Sequence, residues 1–248
     1  MSEGHNFEVP PKSHEPQIIE IVLEKGEIES AKILEGYFPV KAIKIKDDGR
    51  ALFKPSMGEF QEIRKKLFSR VDLELLAFEL DKILGFNLVP PVVAREIGGE
   101  KGVLQQRMEA RPYETPDDYE LPDLVGWSDM VDSEEILKAA VFDHIIGAKD
   151  RHGGNFLIDI PNKKIWLIDH DYLMFFQKVG YGSDMVRAAL NRDMVDISGD
   201  IRTALENLLG AIDSLMLKFE GGESAKILLG VKTRTEELLQ TNKIPNLV

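Results

Sequence analysis

Near residue 109 the hydrophobic pattern of the chain changes period, and that change limits the folds open to it. Before it, Val40 to Lys46 (VKAIKIK) alternates apolar and basic residues as a half-buried strand does. Asp48-Gly49 is a hairpin signal, and Ala51 to Lys54 forms the return strand. Val92 to Ile97 and Gly102 to Gln106 make a second strand pair, turned at Gly98-Gly99. Two helices fall between these pairs, over 59–68 and 72–84. In the second, Leu73, Leu76, Ala77, Leu80 and Leu84 recur at helical spacing, and Gly85 stands just past the end. Residues 109–132, rich in Pro, Asp and Glu, read as a connector. A helix over 134–147 follows, with Asp132 and Glu135 spaced as a capping box and Ile136, Ala140, His144 and Ile145 on its apolar side. Then come a tight loop, strands at Phe156 to Ile160 and Ile165 to Ile168 turned at Pro161-Asn162, and amphipathic helices over 197–217 and 222–241. The expected architecture is α+β in two lobes with a cleft between them. Residues 18–108 form a small lobe built on an antiparallel sheet, and 109–248 a mainly helical one, after a polar mobile tail over 1–17.

Composition narrows the function classes. With 43% hydrophobic residues in 248, the chain can build a sizeable core. It has no Cys, which removes disulfides and thiolate metal sites and fits a reducing cytoplasm, the expected location. No apolar run approaches the roughly 18 residues of a membrane span, and the N-terminus lacks the apolar core of a secretory signal. A net charge of -12 argues against nucleic acid or an anionic bilayer as partner.

The chemistry is concentrated between Phe142 and Phe175 (FDHIIGAKDRHGGNFLIDIPNKKIWLIDHDYLMF). Asp150 and Asn155 stand five residues apart, the D-x-x-x-x-N spacing of phosphoryl transfer. There a carboxylate accepts a hydroxyl proton while an amide oxygen holds Mg²⁺ against the phosphates. Across the expected hairpin, Asp169 ends a buried strand, where its carboxylate can bridge metal and triphosphate. Taken singly, each has a structural reading: Asp150-Arg151 as a surface turn with a salt bridge, Asn155 as a turn cap, Asp169 as the close of a hairpin. Their conjunction points to a nucleotide site.

D-R-H-x-x-N followed by Ile168-Asp169-His170 resembles the catalytic and metal-binding loops of the phosphatidylinositol 3- and 4-kinase superfamily, in particular its small bacterial members. The likeness extends over about residues 20–180, through Phe53-Lys54-Pro55, Gly58-Glu59, Glu74 to Asp81, Leu84-Gly85 and Val89-Pro90-Pro91. It implies a protein-kinase-like fold, ATP and Mg²⁺ as cofactors, and a hydroxyl-bearing acceptor on a protein or small molecule. It also implies roles. Lys54 would contact the α- and β-phosphates, and Glu74 would orient Lys54, with a solvated Glu74 and a competing Glu79 as the other readings. Leu104 to Met108 would be the hinge that binds adenine, through Gln106 and Met108. Asp150 would be the base, His152 would share its work, steady a phosphate or simply pack, and Asn155 with Asp169 would hold Mg²⁺.

Three departures stand out: Ala148 in place of an Asn before the triplet, Asp-His-Asp at 169–171 where eukaryotic kinases have Asp-Phe-Gly, and no glycine-rich loop near Gly36. The phosphate-covering loop is expected within 35–39. The segment from His170 to Leu190 carries no basic cluster, which disfavours a phosphorylated lipid as acceptor, and Tyr172 to Phe176 read as packing residues. Two other readings fit the same residues: a protein Ser/Thr kinase nearer the HipA-like or Golgi secretory kinases, and a nucleotide-binding pseudokinase. Transfer of AMP stays open as a variant of the chemistry.

Overall fold

A computed structural model describes residues 17–34, 40–47, 49–56, 70–112, 126–149, 151–170, 183–219 and 223–245. The expected helix over 59–68, the phosphate-covering loop at 35–39, Asp48, Asp150 and the aromatic run Tyr172 to Phe176 lie outside the described residues.

The strand alternation read in the first hundred residues builds one antiparallel sheet. Strands β1 (Ile28–Leu34), β2 (Val40–Ile45), β3 (Gly49–Pro55), β4 (Val92–Ile97) and β5 (Glu100–Gln106) lie in the order β1-β2-β3-β5-β4. Period two sends Ala51 and Phe53 of β3 into a small core with Leu23, Ile43, Ile45 and Leu104. It sends Lys54 to the opposite face. Its register fixes Lys54 against Val103 of β5 and Pro55 against Gly102. A Cβ at Gly102 would stand 2.5 Å from the Lys54 carbonyl and 2.7 Å from the Phe53 ring, so only glycine allows β5 to close over this part of β3.

Helix α1 (Ile18–Lys25) was not foreseen, and neither was β1. The Arg95 guanidinium on β4 donates to the carbonyls of Leu23 and Gly26 at 2.6 and 2.7 Å, which satisfies the C-terminal end of α1. Glu20 ties the same helix to Lys82 at 2.8 Å.

Helix α2 (Arg70–Leu84) is buried along two stripes. Leu73, Leu76, Ala77, Leu80 and Leu84 enter a large core shared with α3 (Ser133–Ile146), α5 (Gly199–Lys218) and α6 (Glu223–Thr241). Glu74, Phe78 and Asp81, at helical spacing on another side, are buried as well. Asp81 Oδ2 accepts from the N–H groups of Leu88 and Val89, each at 2.9 Å. Leu88 in turn accepts from the Leu167 N–H at 2.8 Å, so the end of α2 is linked to the hairpin of β7 (Phe156–Asp159) and β8 (Lys164–Leu167). A short strand β6 (Arg111–Pro112) completes that second sheet, and α4 (Asp184–Asn191) follows it in the chain.

Burial pushes the Asp81 carboxyl from its ordinary 3.8 up to about 7, against the two N–H donors that favour its ionised form. Between those values the folded protein binds a proton that the unfolded chain does not. Stability therefore falls as pH rises through this window, by at most about 1.4 kcal/mol per pH unit. Urea denaturation at pH 5 and pH 8 should show this loss in the native protein and a flatter profile in Asp81→Asn, which keeps an oxygen for both N–H groups. Equal slopes in the two proteins would assign the pH dependence elsewhere.

The capping box expected at the start of α3 is not formed. Asp132 caps through its backbone carbonyl, which accepts from the Glu135 N–H at 3.0 Å, and its carboxylate lies 3.9 Å from Lys163. Glu135 does not reach back; its carboxylate is turned toward the Ile165 N–H of β8. The rest of α3 is buried on nearly all sides, from Ile136 to Ile146, and Gly147 ends it in the left-handed conformation at φ 69°.

Candidate active site

Lys54 and Glu74 meet because strand and helix geometry leave each facing the other. Lys54 is 6% exposed and Glu74 is fully buried, and the Lys54 ammonium donates to Glu74 Oε1. Glu79, the competing partner, is turned away: its carboxylate lies 3.1 Å from Lys218 and 3.9 Å from Lys82. Burial alone would raise the Glu74 carboxyl, but the Lys54 ammonium and a hydrogen bond from His170 outweigh it and hold it well below the usual range. Lys54 Nζ also stands 3.7 Å from Asp169 Oδ1. The ammonium is thus held between one buried carboxylate and one that is 35% exposed.

Asp169 is reached directly from β8. It sits at φ 59°, a left-handed conformation that a non-glycine residue adopts at a cost of about 1–2 kcal/mol and that concentrates at functional sites. Asn155 lies across the hairpin. The Phe156–Leu167 pair continues outward into a bond from the Ile168 N–H to the Asn155 carbonyl at 3.1 Å. Asn155 and Asp169 therefore leave neighbouring chain segments at the same end of the hairpin.

The loop before Asn155 is fixed by a residue that the motif contains but whose role was not read from it. Arg151 is 2% exposed, so the surface-turn reading of this segment does not hold for it. Its Nη1 donates to the Asn155 and Ile168 carbonyls, both at 2.6 Å. Its Nε donates to the Asp143 carboxylate at 3.2 Å, and Ser183 Oγ donates to the same carboxylate at 2.8 Å. One guanidinium thus joins α3, the loop and the segment leading to Asp169. The sequence signal was Asp143 itself, an acid within the mostly apolar run from Ala139 to Ile146.

His152 is exposed, and its Nδ1 accepts from the Gly154 N–H at 3.1 Å, which steadies the turn over Gly153 to Asn155. The Gln106 N–H is committed to the Pro91 carbonyl at 2.8 Å within the sheet. Met108 lies just past β5, half-buried. The structure thus brings Lys54, Glu74 and Asp169 into contact, with Asn155 adjoining. Gln106 and Met108 lie at the end of β5, the strand paired with β3.

The donor set suits a hard divalent cation. Asn155 and Asp169 would supply an amide and a carboxylate oxygen, ligand types that Mg²⁺ takes together with phosphate oxygens and water. Among the described residues no group of three or more His, Asp or Glu side chains forms a cation site by itself.

No family model matches the sequence, and no curated protein matches it either. Solved structures do match the fold. The Golgi casein kinase with Mn/ADP bound aligns at a TM-score of 0.54 and 15% identity, over 90% of this chain and 74% of that one. A chain of the Shewanella oneidensis MR-1 HipA, HipB and operator DNA complex aligns at 0.50 and 13%, over 84% and 66%. The open conformation of CtTel1 aligns at 0.51 and 12%, over 94% of this chain and 12% of that chain. The fold is the two-lobed kinase-like fold. Within it, Lys54 occupies the sheet of the first lobe, and Asn155 and Asp169 the hairpin of the second. No helix among the described residues is long and apolar enough to cross a membrane.

Proposed function

We propose that this chain is an ATP-dependent phosphotransferase of the phosphatidylinositol 3-/4-kinase-like superfamily that moves the γ-phosphoryl group to a hydroxyl acceptor. The observation that carries the reading is the placement of Lys54 between buried Glu74 and partly exposed Asp169. A buried lysine held by one carboxylate and facing a second, exposed one is arranged to receive a polyanion together with its metal.

In this reading Lys54 binds the α- and β-phosphates, and Glu74 keeps its ammonium in place. Asn155 and Asp169 would hold Mg²⁺, which supplies neutralisation of the charge that develops on the phosphates. Asp150 takes the proton of the acceptor hydroxyl as its oxygen bonds to the γ-phosphorus, and the bond to the β-phosphate oxygen breaks to release ADP. Arg151 holds the Asn155 and Ile168 carbonyls so that the two metal-binding side chains keep their spacing. Gln106 and Met108 would hold the adenine from the end of β5, Gln106 through a group other than its N–H, which is bonded to the Pro91 carbonyl.

A second reading, a protein Ser/Thr kinase nearer the secretory or HipA-like enzymes, is favoured by the fold likeness to the Golgi casein kinase. That likeness makes a protein hydroxyl the first acceptor to test. A catalytically silent nucleotide-binding module is disfavoured, since such a module does not need Asp150 alongside Lys54, Asn155 and Asp169.

Parallel incubations with γ- and α-labelled ATP, alone and with protein acceptors, test the reading. Label from the γ position is the expected outcome, and label from the α position would mean AMP transfer. Asp150→Ala should lose transfer and keep the Mg²⁺-ATP thermal shift, whereas Asp169→Ala should lose the Mg²⁺-dependent part of that shift. A native protein that Mg²⁺-ATP does not stabilise at all would defeat the proposal.

A further inference from the structure

The mechanism uses Glu74 only through Lys54, yet Glu74 has a second partner. His170 follows Asp169, is 1% exposed, and places Nδ1 3.3 Å from Glu74 Oε2. Its ring meets Phe142 of α3 edge-on, with centroids 6.1 Å apart and planes at 85°. Its Nε2 has no partner among the described residues. The two oxygens of one carboxylate are therefore divided: Oε1 accepts from β3, and Oε2 faces the segment that carries Asp169.

The chemistry fixes which atom holds the proton. An ionised carboxylate only accepts, so the nitrogen beside it must donate, and the imidazole bears its hydrogen on Nδ1. A Glu side chain has three rotatable bonds, and a single lysine contact leaves its carboxylate free to pivot. A second donor at the other oxygen removes that freedom. The donor comes from the residue adjoining the metal-binding carboxylate, so α2 and the Asp169 segment are joined by a hydrogen bond. A phenylalanine at this position would fill the space against Phe142 but offer no donor.

We propose that His170 is a positioning residue that donates Nδ1–H to Glu74 Oε2, so that Glu74, Lys54 and the Asp169 segment form one rigid unit. Its kinetic consequence rests on the phosphotransferase reading, but the hydrogen bond does not. Two measurements keep these apart. The first is ¹⁵N NMR of histidine-labelled native protein without nucleotide, with His170→Asn used to assign the signal. The expected result is an Nδ1–H tautomer for His170 that shifts in Glu74→Gln. An Nε2–H tautomer, or a signal indifferent to Glu74→Gln, would overturn the proposal whether or not the protein transfers phosphate.

The second measurement compares His170→Phe with His170→Asn, whose amide can still donate. His170→Phe should lower kcat about 10- to 100-fold, the range typical when a supporting hydrogen bond to a site residue is lost, with a smaller change in KM for ATP. His170→Asn should stay within a few-fold of native. Equal losses in both variants, or no loss in His170→Phe, would show that His170 only packs. If His170→Phe does not fold, the Asn variant and the tautomer decide the matter. A native protein with no transfer but the expected tautomer would refute the activity and leave this hydrogen bond standing.

Discussion

Lys54→Met should strongly depress phosphoryl transfer and also destabilise the fold, and adding Glu74→Gln should repair only the second defect. Glu74 is fully buried, and its carboxylate has two partners, Lys54 and His170. Removing the ammonium leaves a buried anion with one neutral donor. Loss of one member of a buried ion pair typically costs about 3–5 kcal/mol, because the remaining charge stays desolvated. His170 offsets part of this, so about 3 kcal/mol is expected for Lys54→Met by urea denaturation. In Lys54→Met/Glu74→Gln both charges are gone and only packing and hydrogen bonding differ, so most of the lost stability should return. Transfer of γ-label should stay depressed by about 10²- to 10³-fold in both, the scale of losing a cationic donor to the reacting phosphates. If stability and activity recover together, Lys54 serves the fold and not the nucleotide. If neither property changes in Lys54→Met, the proposed site is wrong.

The parts of the molecule that could be read in advance share one trait: their side-chain pattern points to one face. The β2–β3 and β4–β5 pairs are extended runs with Gly-containing turns, part of each run alternating in burial, and α5 and α6 have long amphipathic periods. β1 is a sheet-edge strand exposed at nearly every position, so no core face marks IESAKIL as extended. α1 has eight residues and several β-branched ones. Its helix is settled by distant partners, Arg95 at its carbonyls and Lys82 at Glu20. The solvated alternative for Glu74 arose because it lies off the leucine stripe of α2. That helix is buried on a second side as well, where β3 supplies Lys54. Lys54 and Asp169, whose candidacy came from their motifs, stand together in space. What no spacing disclosed were contacts between distant positions: His170 with Glu74, and Asp143 with Arg151 and Ser183.

The second of those contacts carries the other large effect. Arg151→Met should cost more stability than any other single change in the hairpin region, at least about 3 kcal/mol. Asp143 is 0% exposed, and without the guanidinium its carboxylate keeps only the Ser183 hydroxyl among the described partners. Two carbonyls, of Asn155 and Ile168, would lose a charged donor at the same time. Asp143→Asn/Arg151→Met removes the stranded anion, and urea denaturation should show a partial recovery. The carbonyls still lack their donor, so Mg²⁺-dependent ATP stabilisation should not recover with it. Arg151→Lys separates charge from shape. A lysine keeps the ion pair with Asp143, but a single ammonium on a flexible stem cannot hold the carboxylate and both carbonyls at once. Its stability should lie between native and Arg151→Met, while its Mg²⁺-ATP thermal shift should resemble that of Arg151→Met. A lysine variant with the native shift would mean that charge alone suffices, and that the spacing of Asn155 and Asp169 does not depend on the guanidinium fork.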